Sequence, residues 1–410
     1  MDWLRRVYLP SLGPHAARLL GARALHGAPL PGASAAWLGL SPSQLTHAKH
    51  ALAADDLPSA EHDPSFAAAL AAAWQLHQPA LARKFIQAAL HEAIALRDAP
   101  LAVRLARMGG SGKDCAQLLS ELGWVILLGT ARDELGDLLA RLSPVEARRP
   151  AMRLLRAAWW VEVRRAPMEG ERVLASARIS SPIADLIRAR CKLMYDDAGK
   201  ALAYAQAAHA ALAASGSPQA QWASAALGYA WVECAQPQRA IGVLLDAVRC
   251  ARRDGLLNLQ LDGLHALARA QQECSDDAGL DATLNQVRAL LQRVDARSAA
   301  AQSLARLTLR EAHERLETPA PATAGPDDSD LFAFPWMTAR ARAALIEGRI
   351  QVAAEWNKLL ASRLHASFCS TKWVLEAGWV RIWLAGLRGD VEALQDESAG
   401  PGFPPKHAGL

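Results

Sequence analysis

A chain of 410 residues, 51% hydrophobic and 21% charged, is too long for a single hydrophobic core and too apolar to stay unfolded, so it must divide into domains or stacked repeats. Its net charge of +4, from 45 basic and 41 acidic residues scattered singly, is too weak a field to predict direct nucleic-acid binding. Ala and Leu carry the apolar half and aromatics make up only 6%, which predicts an all-α chain of about sixteen to twenty helices in antiparallel pairs.

Residues 1–40 read as an irregular N-terminal segment, because Gly and Pro interrupt any helix there. Arg5 and Arg6 precede only Val7-Tyr8-Leu9 before Pro10, which is no signal sequence. No apolar run approaches the roughly 20 residues of a membrane span, so a cytoplasmic location is expected. Residues 41–317 form the expected helical repeat array. Ser41-Pro42 and Asp63-Pro64 each read as an N-cap followed by proline at the first helical position.

Gly109-Gly110-Ser111-Gly112-Lys113-Asp114 is similar to a phosphate loop, but Arg107 stands where the first glycine belongs, Asp114 replaces the hydroxyl residue, and no strand precedes it. It is read instead as a helix C-cap at Gly109-Gly110 and an N-cap at Ser111.

Further along, Leu227, Gly228, Trp231, Ala240, Leu244 and Ala247 follow the spacing of a tetratricopeptide hairpin, with small residues where helix backbones meet. Forty positions on, Leu267, Ala268, Gln271, Leu280, Leu284 and Val287 repeat the spacing, although Gln271 and Leu280 are poor matches. Looser copies surround Ala201, with the second helix running to about Leu212, and Ala353, with Gly348-Arg349 as its turn. The expected fold is therefore an α-solenoid of stacked helical hairpins, tetratricopeptide-like, with HEAT-like repeats as the structural alternative. Residues 318–330, rich in Pro, Ala and acidic residues, read as a linker; 331–396 as C-terminal repeats; 397–410 as a disordered tail.

Three stretches carry a family resemblance. The first is Ala89 to Asp98 with Pro100 to Arg107; the second is Gly123-Trp124 through Gly129 with Leu135, Leu138, Leu139 and Leu142-Ser143-Pro144; the third is Arg149 to Leu154. From Ala89 to Leu155 the chain resembles the start of the tetratricopeptide sensor region of MalT-type bacterial transcriptional regulators of the LuxR class. The resemblance implies a sensor in transcriptional or signalling control that binds a protein or small effector. It covers the sensor alone: neither the family's nucleotide-binding module nor its helix-turn-helix is expected here, since only about seventeen residues follow Ala393. A generic adaptor or co-chaperone gripping a peptide in the groove is the alternative.

In such a repeat the inner, concave face of the first helix falls at fixed offsets from the small residue. That selects Trp222, Tyr229 and Glu233 in one copy and Asp262, His265, Arg269 and Gln272 in the next as ligand- or partner-binding candidates. An aromatic edge over a mixed polar floor suits a peptide or a small polar ligand. Twelve histidines and six cysteines show no metal-ligand spacing, no nucleophile stands beside a recognisable base, and neither catalysis nor a cofactor or metal is expected. Membrane and direct nucleic-acid partners are not expected either.

Overall fold

A computed structural model describes residues 2, 4–27, 30, 34–53, 64–195, 197–293, 308, 333–366 and 371–392. Among them every regular element is a helix; there are 21 α-helices and no strand. Four of these are turns of three to six residues. The expected linker at 318–330 and tail at 397–410 lie outside the described residues.

The chain divides into two compact units, Met1–Leu127 with Ala131–Leu155, and Leu128–Thr130 with Arg156–Leu410. No shift in composition marks this division.

In the first unit, helix α1 (Pro14–His26) packs against α2 (Pro42–Ala53), α3 (Pro64–His77), α4 (Pro79–Ala95) and α5 (Ala99–Gly109). The first forty residues thus differ from expectation, because α1 carries a buried apolar face that includes Ala17, Leu19, Ala22 and Leu25. Its flanking glycines do not break it. Gly13 (φ 74°) precedes its first turn and Gly27 (φ 64°) closes its last in the left-handed region that glycine occupies without strain. Gly21 lets α1 rest on the Trp74 ring of α3, where an added Cβ would lie 2.3 Å from ring carbons. Trp74 and Phe85 are fully buried and meet edge to face at 6.0 Å. As expected, α2 begins at Pro42 behind Ser41, whose hydroxyl accepts from the Gln44 N–H while Gln44 Oε1 accepts from the Ser41 N–H. Helix α3 begins at Pro64, with Asp63 outside the described residues. The unit continues through α6 (Gly112–Leu128) and the short α7 (Leu135–Ala140).

Helix α8 (Pro150–Glu162) enters the second unit, followed by α9 (Pro167–Ala177), α10 (Pro182–Met194), α11 (Ala198–Leu212), α12 (Pro218–Glu233), α13 (Pro237–Arg253), α14 (Leu257–Glu273) and α15 (Asp277–Arg293). The last described helices are α16 (Ala333–Ile346), α17 (Ile350–Ala366) and α18 (Thr371–Arg388). Proline opens α8, α9, α10, α12 and α13, since its fixed φ suits the first turn and its missing N–H costs nothing there. Each of α10 to α14 packs on the next helix in sequence, and α10, α12 and α14 also touch one another in succession.

The turns repeat as well. Between α12 and α13 the Cys234, Ala235 and Gln236 N–H groups donate to the Ala230, Val232 and Trp231 carbonyls. Between α14 and α15, forty positions on, Cys274, Ser275 and Asp276 donate to Ala270, Gln272 and Gln271 in the same pattern. Ala235 (φ 55°) and Ser275 (φ 56°) are both left-handed, and Gly348 (φ 69°) takes that place in the turn between α16 and α17.

The expected core positions are buried. Leu227, Ala240, Leu244 and Ala247 are so in the first copy, and Leu267, Ala268, Leu280, Leu284 and Val287 in the second. Trp231 is half-buried against Ala240 and Leu244. Gln271, the poor match, is buried too, and its Oε1 accepts from the Thr283 hydroxyl at 2.8 Å, so the polar group is satisfied within its own hairpin.

Gly228 of α12 lies against Leu244 of α13, and a Cβ there would stand 2.5 Å from Leu244 Cγ. The Gly228→Leu variant is therefore expected to lose about 3 kcal/mol, at the upper end of overpacking costs. Urea unfolding checks this, and a loss below about 1 kcal/mol would show that the two helices can separate there.

Candidate functional site

Five of the seven candidate residues gather in one polar network on successive helices of the second unit. Tyr229 and Glu233 come from α12, and Asp262, His265 and Arg269 from α14. Arg269 Nη1 donates to Tyr229 Oη at 3.1 Å and to Glu233 Oε1 at 2.5 Å, and its guanidinium carbon lies 5.5 Å from the centre of the Tyr229 ring. Tyr229 and Arg269 are 40 residues apart, the spacing at which the two turn patterns recur, and their side chains are in contact. The His265 ring lies 6.4 Å from that of Tyr229, and its Nδ1 is 3.0 Å from Thr308 Oγ1.

The repeat register did not single out the other half of the network. Glu162, at the end of α8, is almost fully buried, with 3% of its side chain exposed. Arg190 of α10 grips it in bidentate fashion, Nε donating to Oε1 at 2.6 Å and Nη2 to Oε2 at 2.9 Å. Arg190 Nη2 also stands 3.7 Å from Asp262 Oδ2, and its guanidinium is 5.9 Å from the centre of the Tyr229 ring. Arg165 approaches Glu162 to 3.8 Å. Arg165, Arg190 and Arg269 thus face Glu162, Asp262 and Glu233, three charges of each sign with Tyr229 among them.

Burial alone would lower the Arg190 pKa. The charges of Glu162 and Asp262, with the hydrogen bond to Glu162, outweigh it and hold the guanidinium above its usual value. Arg190 therefore remains a cation at any working pH.

Two expectations need correction. Trp222 is no groove anchor: it is 1% exposed, in the core of α12, a helix with buried residues almost all round its circumference. Arg269 is not a solvated arginine, since 19% of its side chain is exposed and both of its partners are fixed. Helices α10, α12 and α14 pack near enough for their polar side chains to meet. Gln272 follows on the same helix as Arg269, half-buried, with a buried Nε2 that finds no acceptor. The Arg269→Ala variant is therefore expected to cost about 1.5–3 kcal/mol, the range for hydrogen bonds to charged groups, where an exposed arginine would cost under about 0.5. A melt of the variant beside the wild type distinguishes the two values.

The sequence Gly109 to Asp114 caps two helices. Helix α5 ends before Gly110, and Ser111 and Asp114 form a reciprocal cap on α6, with N–H to oxygen distances of 3.2 and 2.8 Å. A helix precedes it, not a strand.

Burial, with the charges of Glu171 and Glu162, pushes the Cys191 thiol up to about 12, so it is a protonated packing residue at neutral pH. Among the described residues no group of three metal-ligating side chains occurs, and no helix is long and apolar enough to cross a membrane. Trp379 and Trp383 of α18 are about half exposed. No family model, no curated protein and no solved structure matches the chain.

Proposed function

We propose that this chain is a tetratricopeptide-type solenoid acting as a binding platform, a sensor in transcriptional or signalling control that takes a protein or small effector on the inner face of its second unit. The observation that carries the reading is the contact between Tyr229 and Arg269, at the same place in consecutive repeats, within a network of three arginines and three carboxylates. Stability gives little reason to keep such a network, because burying paired charges costs nearly what it returns and apolar residues would serve as well. Recognition gives a reason, since a fixed array of charges rejects partners that do not complement it. The unsatisfied Gln272 amide adds a donor on the same helix. The resemblance over Ala89 to Leu155 supports a sensor role.

The test is affinity capture from native lysate, with captured species identified by mass spectrometry. Baits are the wild type, Tyr229→Phe with Gln272→Ala, and Arg249→Ala, a surface control whose side chain is 76% exposed. The reading predicts one species retained by wild type and control and lost by the double variant, whose melting temperature falls by no more than a few degrees. Equal capture by all three contradicts it. Retention of many unrelated peptides sharing a short motif would favour an adaptor.

A further inference from the structure

The first unit has an open surface pocket of about 380 Å³ between α1, the turn at Trp37 to Gly39 and the start of α4. That is the size of pocket that takes small molecules. Its two charged lining residues are both cations, Arg18 and Lys84, and among the described residues no carboxylate lines it. Arg18 Nη1 makes only a long contact, 3.5 Å, to the Leu38 carbonyl, while its Nε is buried without any acceptor. Gln78 Oε1 in the same wall is buried without a donor.

Helix α4 also begins at this wall. Gln78 is its N-cap and gives no side-chain cap, and Pro79, Ala80 and Leu81 of the first turn line the pocket. The free N–H groups and the positive end of a seventeen-residue helix therefore face the same space as the two cations. Trp37, fixed edge to face against Phe85 at 5.8 Å, supplies a flat apolar wall.

We infer that this pocket binds a small planar organic carboxylate. The two Nη groups of Arg18, unlike its enclosed Nε, form a fork that takes both oxygens of a planar carboxylate. Lys84 and the first turn of α4 add positive potential, and Trp37 covers the flat apolar body. The site is separate from the inner face of the second unit, and its test does not depend on that reading.

Benzoate, 1-naphthoate and indole-3-acetate serve as probes, each against its neutral amide, with binding read by saturation-transfer NMR and calorimetry on the full chain. At least one carboxylate is expected to bind at least tenfold more tightly than its amide. Arg18→Met should weaken it at least tenfold, and Lys84→Ala, at an exposed position, several-fold without moving the melting temperature. Binding of none of the three carboxylates, equal binding of acid and amide, or unchanged affinity in the folded Lys84→Ala variant would each overturn the inference.

Discussion

Replacing Trp222 by alanine is expected to destabilise the second unit by about 3–5 kcal/mol, the usual range for emptying a large aromatic from a packed core. The indole is 1% exposed, and the same helix contributes Ala220, Ala223, Ala226, Leu227 and Ala230 to the buried set. A rim tryptophan on a groove would cost well under 1 kcal/mol in stability and show its effect on binding. Guanidinium unfolding of Trp222→Ala decides between the two, and a loss below about 1 kcal/mol would return Trp222 to the groove.

The Glu162→Ala variant is expected to cost about 3–5 kcal/mol by a different route. The deletion leaves the Arg190 guanidinium, only 12% exposed, with Asp262 at 3.7 Å as its nearest remaining charge. Removing one partner of a buried pair strands the other, which is worse than never having had the pair. Arg190 cannot escape by losing its proton, because an arginine guanidinium stays protonated at any working pH even without its partner. Converting Arg190 to Leu in the same chain should restore much of the loss. By contrast, Asp246→Ala, which breaks the exposed pair with Arg249, should cost under about 1 kcal/mol. Similar losses from the two single variants in thermal unfolding would contradict the burial of Glu162.

Helix content, the proline-led starts and the core register from Leu227 to Val287 could be read from the sequence because each rests on local chemistry. A proline after a small polar residue marks a first turn, and α13 buries Ala240, Leu244, Ala247 and Val248 on one stripe. The caps at Gly109 to Asp114 were legible for the same reason.

Trp222 was not. Helix α12 is enclosed on most sides, so its apolar residues show little periodicity and offsets from Gly228 do not separate groove from core. Glu162 and Arg190 escaped because the earlier helices depart from the forty-residue spacing: the pair is 28 residues apart. The visible signal was Arg190 itself, a long cation between Ala189 and Cys191, both fully buried. Helix α1 was missed because glycines at its ends were taken as breaks, whereas Gly13 and Gly27 lie just outside it.

The measurement that bears most directly on the central claim is a double-mutant cycle between Tyr229→Phe and Arg269→Met, read by urea unfolding. The account holds that the repeat brings these side chains, 40 residues apart, into one inner face where a hydroxyl and a guanidinium meet at 3.1 Å. It predicts a coupling of about 1 kcal/mol, within the range for residues in one hydrogen-bond network. Additivity within about 0.3 kcal/mol would mean that the two residues do not meet, and neither the repeat register nor the inner-face site would stand.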